Sequence, residues 1–497
     1  MKKEPWFLLC AIAMLPWGCA TVNPEADYDR LAEHVAVATG AREVYRPGAD
    51  EATRAHVLEL LDGGLTSDEA VQIVLLNNPR LQAAFYKIGM AHADVVQSKL
   101  FSNPSLFSSV RLPDGGGLAN VELAFAQNIA DLWLISARRR TAARGLEQVI
   151  LDLARQASVL AAETKTTYCR AISADRVLEI AQENRELAQR LLDSTIGRQQ
   201  AGAGNQVDVN LSRSEFMETE LAVRSAKLAA FEERRSLATL LGLRTPPDEL
   251  KLVDALPDVP AWTITQEALV TIAERRRLDL QAADRTIDAA HARFVQEKRK
   301  VFQSVELGVS MERADRAPGS DGNLLAETAR SSFEAGQFAL PPLGRRDDND
   351  QDTLIGPSIN LELPIFDRNQ AQIAKAQYAY EEAVRLRESV LLEVIQEVRS
   401  AYQRAKTAWE VSSFFRDSLL PLREDNLELS RDAYRTGTVP FLSVLETQRA
   451  LLLARSKYVE AVRDAAIGFA DIEKATGLPI KTILEIDYGA ASREVTP

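Results

Sequence analysis

Gly202-Ala203-Gly204-Asn205-Gln206-Val207-Asp208-Val209 opens an Ala- and Leu-rich run that closes at Leu240-Leu241-Gly242. Gly437-Thr438-Val439-Pro440-Phe441-Leu442-Ser443-Val444 opens a second, which closes at Ala475-Thr476-Gly477. Gly202 and Gly437 stand 235 residues apart, as do Gly242 and Gly477. Upstream, Leu65-Thr66-Ser67-Asp68 through Leu81-Gln82-Ala83-Ala84 matches Ile264-Thr265-Gln266-Glu267 through Leu280-Gln281-Ala282-Ala283, now 199 residues apart. The same spacing continues through Ala91-His92-Ala93 and Ala290-His291-Ala292. Matching blocks in fixed order mark a tandem duplication, and a repeat decides the fold before any single element does. The second copy has gained 36 residues between its anchors.

Working outward from the repeats, each half follows one plan. Thr66 and Glu69 have capping-box spacing for a helix start. Asn77-Asn78-Pro79 then breaks the helix, and a second one runs to about Leu100. In the second copy Leu278 replaces Pro79, which predicts a softer break there. Strands follow. Val305 to Glu312 and Ile359 to Leu363 alternate apolar and polar, as does Val121 to Gln127, with a weaker run from Pro104 to Leu112. Period-two alternation gives a strand one apolar and one polar face. Pro113-Asp114-Gly115-Gly116-Gly117 reads as a hairpin turn, and the second strand pair is joined by a long polar loop, Arg313 to Asp352.

Each strand pair feeds a very long helical stretch, about Ser136 to Gln200 and about Gln370 to Thr436, with only Pro421 intruding in the second. Ile150, Leu153, Ala157 and Leu160, and likewise Leu391, Val394, Val398 and Ala401, step by threes and fours as in coiled-coil seams. Such a stretch makes a rod on the order of 100 Å. The chain reverses at Gly202–Gly204 and at Gly437, where a residue tolerant of positive φ is needed.

The formal charge of −12 and pI near 5.2 disfavour nucleic acid as a partner, since phosphate binding needs clustered Lys and Arg. Lys2 and Lys3 precede an apolar core from Trp6 to Leu15, too short to span a bilayer, which reads as an export signal over residues 1–18. Leu15-Pro16-Trp17-Gly18-Cys19 resembles a lipobox with Pro16 where Leu is usual, predicting lipidation of Cys19; a plain secretory signal is the alternative. Cys169 is then the one cysteine left in the mature chain, so no internal disulfide forms. No catalytic constellation is present: HExxH, CxxC pairs, a P-loop and a nucleophile elbow are all missing. His92 and His291 are repeat-equivalent, but two helix histidines inherited by duplication explain them, and neither a metal nor a cofactor is expected.

Four alternating strands cannot close a barrel, and an open edge cannot sit in lipid. Membrane barrels start at about eight strands, so copies of the chain must share one. Glu122, Glu306, Glu312 and Glu362 on the polar faces suit a water-filled lumen. Val305, Leu307, Val309, Ile359, Leu361 and Leu363 suit lipid. A soluble sheet packed on helices is the competing reading, and it lacks partner strands.

Several motifs now point to one family. Asn78-Pro79-Arg80-Leu81, Arg276-Arg277-Leu278-Asp279-Leu280-Gln281-Ala282, Leu363-Pro364-Ile365-Phe366-Asp367-Arg368-Asn369, Tyr434-Arg435-Thr436-Gly437-Thr438 and Val444-Leu445-Glu446 resemble the TolC family of outer-membrane factors over about residues 60 to 480. The resemblance implies a mainly helical homotrimeric channel-tunnel, with a shared twelve-stranded β-barrel in the outer membrane and a periplasmic α-helical barrel. It implies an efflux duct that works with a periplasmic adapter and an inner-membrane pump, with the resistance-nodulation-division type suggested by the Leu363–Asn369 stretch. A duct of a type I protein secretion system is a related outcome, and a pore-less periplasmic scaffold lipoprotein is the rival from another class.

Gly202, Gly204, Val207, Gly437, Thr438 and Val439 would form the adapter-contacting tips, with Asp208 and Glu446 at a periplasmic gate. Ser443 replaces the first acid of the family pattern, and Val439 the basic residue after the turn. Capping a helix start is the alternative role for Asp208 and Glu446. The expected organisation is a tail over 19–64, a first repeat over 65–263 (strands about 103–128, tip about 200–208), a second over 264–480 (strands about 304–312 and 357–366, tip about 435–443) and a tail over 481–497.

Overall fold

The fold is taken from a computed structural model that describes residues 21–41, 43–112, 119–202, 204–256, 262–302, 304–315, 324–340 and 351–485. The export signal, Cys19, the 113–117 turn and most of the C-terminal tail lie outside these residues. In order the elements are α1 (Glu25–Thr39), α2 (Asp50–Leu61), α3 (Ser67–Asn77), α4 (Pro79–Ser98), β1 (Ser105–Arg111) and β2 (Asn120–Asn128). Then come α5 (Asp131–Gln200), α6 (Gln206–Leu240), α7 (Gln266–Arg276), α8 (Leu278–Arg299), β3 (Val305–Asp315), α9 (Leu324–Ala335) and β4 (Gln351–Leu361). The chain ends with α10 (Gln370–Phe414), a π-helical turn (Phe415–Leu419), α11 (Leu420–Arg435) and α12 (Phe441–Thr476).

The chain divides into two compact units. One comprises Met1–Asp94, Ala143–Asp288 and Glu381–Pro497; the other comprises Val95–Ala142 and Ala289–Tyr380. The first is helical. Ile264, Leu269, Ala273, Leu280, Val394, Val398, Ala401, Ile472 and Ala475 form one buried cluster that joins α7, α8, α10 and α12. Gly468 lets α10 and α12 approach closely, because a Cβ there would lie 2.6 Å from Ala405 Cα. The second unit holds an antiparallel sheet in the order β1-β2-β3-β4.

The duplication is visible in backbone detail. Gly202 and Gly437 have φ of 75° and 78°, and Gly242 and Gly477 have φ of 70° and 75°. Thr66 makes the expected capping box with Glu69, and Thr265 caps the matching helix by accepting from Ala268 N.

Four expectations need correction. The break after α7 is as sharp as the one after α3: Arg277 has ψ of 122° and Asn78 has ψ of 117°. Proline is not what sets it, because both residues spend their side chains on the end of a returning helix. The 19–64 segment, expected to lie on the body with short helices at best, forms helices of 15 and 12 residues, and α1 buries Tyr28, Leu31 and Val35, with Tyr28 and Tyr45 against Phe85 at 6.4 and 5.8 Å. The second-copy strands span 305–315 and 351–361, longer than 304–312 on one side and shifted from 357–366 on the other. The ladder ends where β3 starts, at the Val305–Leu361 pair, so 362–366 have no partner. Last, the Arg313–Asp352 loop contains strand at both ends and a helix between.

Pro421 does not break the second long stretch. It has no N–H for Asp417 to bond, and its ring would press on that carbonyl. The π turn widens the helix just ahead of it, with Leu420 N–H reaching Phe415 O, a usual way to accommodate such a conflict.

Candidate functional site

The sheet register sorts every described strand residue onto one of two faces. Glu122 stands opposite Glu312, Asn128 opposite Glu306, and Glu306 opposite Asn360. Partners directly across a ladder share a face, so Ser109, Glu122, Glu312, Glu306, Ser310, Ser358 and Asn360 lie together, with Phe107 and Leu354 among them. The other face carries Leu106, Val110, Val121, Leu123, Phe125, Leu307, Val309, Ile355 and Ile359. Most of its large side chains are open, Leu106 at 75% and Ile359 at 71% exposed, while Val121 and Leu123 are half-buried.

Like charges facing each other oppose strand pairing, and here polar neighbours relieve Glu122 and Glu312. Arg111 approaches Glu122 at 3.5 Å, Asn120 Nδ2 donates to Glu312 Oε1 at 3.2 Å, and Asn360 Nδ2 donates to Glu306 Oε2 at 3.3 Å. Glu362 falls one residue past β4, exposed and outside the ladder. Gly308 sits on the acidic face, where a Cβ would come within 2.4 Å of Phe125 O.

At the first tip, α5 ends at Gln200 and Gly202 turns the chain. Gly204 passes close to α5: a Cβ there would lie 3.0 Å from Gln199 N. Asn205 then caps α6 by accepting from Asp208 N at 2.8 Å. Val207 is already helical and 65% exposed. At the second tip, Thr438 N–H returns to Ala433 O at 2.8 Å and Pro440 precedes α12. Val439 and Glu446 share a groove of about 480 Å³ between α11 and α12, with Arg423 in its wall.

Two contacts near the tips escaped the sequence reading. Arg449 of α12 donates to Glu215 at 2.6 Å and to Glu218 at 3.0 Å, both on α6. Its hydrogen bond to Glu215 outweighs burial and, with the nearby charges of Glu218 and Glu446, holds the guanidinium firmly charged. Arg198 at the end of α5 lies 4.7 Å over the Tyr434 ring at the end of α11. Glu446 and Arg449 are one helical turn apart, a faint sequence signal, but the partners of Arg449, over 200 residues away, carry none.

The repeat-equivalent histidines have diverged. His92 Nδ1 meets Asp27 at 2.6 Å, whereas His291 packs on Tyr380 at 5.6 Å. Among the described residues no group of three or more His, Cys, Asp or Glu could hold a metal. No described helix is long and apolar enough to cross a membrane.

With this geometry in place, the sequence model of the outer membrane efflux protein family matches residues 269–478, the second repeat almost end to end. TolC of Escherichia coli K12 is 24% identical over 428 residues, covering 82% of this chain and 81% of TolC. The second repeat matches the outer membrane efflux protein family, and the chain as a whole is similar to TolC-family outer-membrane factors. The cobalt-zinc-cadmium resistance protein CzcC of Cupriavidus metallidurans is 23% identical over 428 residues, 84% of this chain and 90% of CzcC. The CmeC outer membrane channel of Campylobacter jejuni superposes with a TM-score of 0.62 at 17% identity, over 85% of this chain and 89% of CmeC. TolC-family members are outer-membrane ducts rather than enzymes, form trimers and work with adapter and pump partners. The first repeat, outside the matched residues, belongs to the same plan through the paired glycines and caps.

Proposed function

We propose that this protein is the outer-membrane duct of a tripartite efflux system, passing cargo from an inner-membrane pump and a periplasmic adapter to the cell exterior. The observation that carries this is the two-faced sheet: a carboxylate-lined face beside an exposed aliphatic one, on strands of up to 11 residues. That length spans a bilayer when tilted. Three copies supply twelve strands, remove every edge, and put Glu122, Glu306 and Glu312 around water and the aliphatic face in lipid, with Glu362 extending the acidic lining below.

In this reading the Gly202–Val207 and Gly437–Val439 turns receive the adapter, and Asp208 and Glu446 narrow the tunnel behind them. Cys19 carries a lipid anchor. Cargo follows the pump, here of the resistance-nodulation-division type. Acidic walls concentrate cations, and the likeness to CzcC, whose name records cobalt, zinc and cadmium, favours divalent metal cargo. Growth of a deletion strain across copper, zinc, cobalt and amphiphilic drugs tests it. Selective loss of metal tolerance, restored by the intact gene, supports the cation reading; loss of drug tolerance alone replaces it with multidrug efflux.

A further inference from the structure

The β3–β4 connection holds most of the residues that the second copy gained, and α9 forms inside it. For a helix in water, α9 is turned inside out. Thr328, Ser331 and Ser332 are half-buried, while Phe333 is 91% exposed, Phe338 80% and Leu340 68%. Gly336, with φ of 62°, folds the following residues back on the helix. A double clasp holds them there: Ala339 N–H donates to Ser332 Oγ at 3.0 Å, and Ser332 Oγ donates to Ala339 O at 3.3 Å. The Ser332 hydroxyl is thus spent inward and the rings of Phe333 and Phe338 are presented outward.

Position in the sheet says which medium the rings meet. β3 follows α8 and leaves the ladder at Asp315; β4 re-enters at Gln351 and runs on to α10. The connection therefore emerges at the end of the sheet opposite the one where α8 leads in and α10 leads out, which is the external end of the barrel if the sheet is read as membrane-embedded. On that side the exposed aliphatic face runs up β4 to Ile355, 69% exposed, four residues from the strand start. The charges on α9 (Glu327, Arg330 and Glu334) are mixed in sign and few. Apolar contact, not charge attraction, is what the helix offers. Aromatic side chains favour the boundary between acyl chains and headgroups, and a helix with one apolar face can lie in that plane.

We propose that α9 is an interfacial helix that lays Phe333, Phe338 and Leu340 into the outer surface of the membrane beside the barrel. The inference rests on the reading of the sheet as membrane-embedded, and the experiment separates the two. The full-length trimer is reconstituted in dioleoylphosphatidylcholine vesicles with or without a nitroxide lipid. An environment-sensitive fluorophore is placed on Phe333→Cys, Phe338→Cys, Ile359→Cys or Thr438→Cys in turn. Cys169 is buried and its thiol pushed up to about 11 by that burial, so the introduced cysteine takes the label.

Labels at 333 and 338 are expected to shift to the blue and lose intensity to the nitroxide lipid, as the label at 359 does, with iodide quenching well below that at 438. Strong iodide quenching at 333 and 338 with no lipid quenching places them in water and overturns the proposal. Quenching by neither agent places them against protein, over the lumen or a neighbouring copy, and overturns it too. Failure of the 359 label to meet the nitroxide lipid sinks the barrel reading itself. If one of the two loop variants fails to assemble, the other decides.

Discussion

The Arg277 guanidinium donates to the Ala475 carbonyl at 2.9 Å, closing the C-terminus of α12. In the first repeat Asn78 donates to the Leu240 carbonyl at 2.8 Å, at the equivalent end of α6. Arg277 and Asn78 are 199 residues apart, and Ala475 and Leu240 are 235 apart, so the two bonds are one bond copied by duplication. The last carbonyls of a helix have no intrahelical partner, and each repeat supplies one from the helix break upstream. Arg277 does more than Asn78. It also holds Asp279 at 2.6 Å and Glu397 at 2.6 Å, and Arg155 reaches the Lys474 carbonyl beside it at 2.8 Å.

Arg277→Ala therefore leaves two carboxylates without their main partner as well as a bare helix end. Removing one partner of a buried ion pair costs about 3 kcal/mol or more, whereas Asn78→Ala loses neutral hydrogen bonds worth about 1–2 kcal/mol. Chemical denaturation of the detergent-solubilised protein should rank Arg277→Ala clearly below Asn78→Ala. Equal losses would show that the charge network adds nothing to the cap.

The same network predicts acid sensitivity. Burial pushes the Asp279 carboxyl up, but hydrogen bonds and charge from Arg277, with Arg155 behind it, outweigh that and bring it below its ordinary range. A carboxyl lowered by folding stabilises the fold fully above its unfolded pKa, about 3.9, and the contribution is lost as pH falls through the folded value. Stability should be level in this respect from neutral pH to about 4 and decline below it. Asp279→Asn should flatten that acid limb.

The two faces of the sheet should respond oppositely to charge. Ile359→Lys places an ammonium on the aliphatic face, at a cost of up to about 2–4 kcal/mol in a bilayer. Ser310→Lys places it on the carboxylate face, beside Glu312. Heat-resistant trimer on gels should fall for Ile359→Lys and persist for Ser310→Lys. Equal tolerance of both would mean that neither face meets lipid.

Arg449→Ala tests the link between the returning helices. Its side chain is half exposed but Glu215 is buried, so the effect on stability should fall between that of a surface pair, below about 1 kcal/mol, and that of a buried one, about 3 kcal/mol. Glu215, mostly buried and 2.6 Å from Arg449, then loses its partner near the tips. Higher conductance of the resting channel, or greater sensitivity of cells to bulky antibiotics, is the expected readout. A wild-type conductance would remove Arg449 from any gating role.

The sequence exposes this fold where its signals are local or repeated. Paired glycines mark both turns, and the Val305–Glu312 alternation marks the acidic face of β3. The sharp break at Arg277 is not legible locally, because its cause, the Ala475 carbonyl, lies 198 residues downstream. The start of β4 was missed because Gln351 to Pro357 looks polar and turn-like; pairing with β3 along 11 residues makes it a strand. Arg449 was missed for the same reason as Arg277: an ion pair between helices leaves no spacing rule in the chain. The α9 helix carries no core-facing stripe over its described side chains, since Phe333 points away from the rest of the chain.

Single-channel recording of the purified protein in a planar bilayer, across a potassium chloride gradient, tests the central claim most directly. A duct lined by Glu122, Glu306 and Glu312 should conduct and show a reversal potential of cation-selective sign, moved toward zero by Glu306→Gln with Glu312→Gln. An absence of conductance from assembled trimers, or selectivity for chloride, would contradict it.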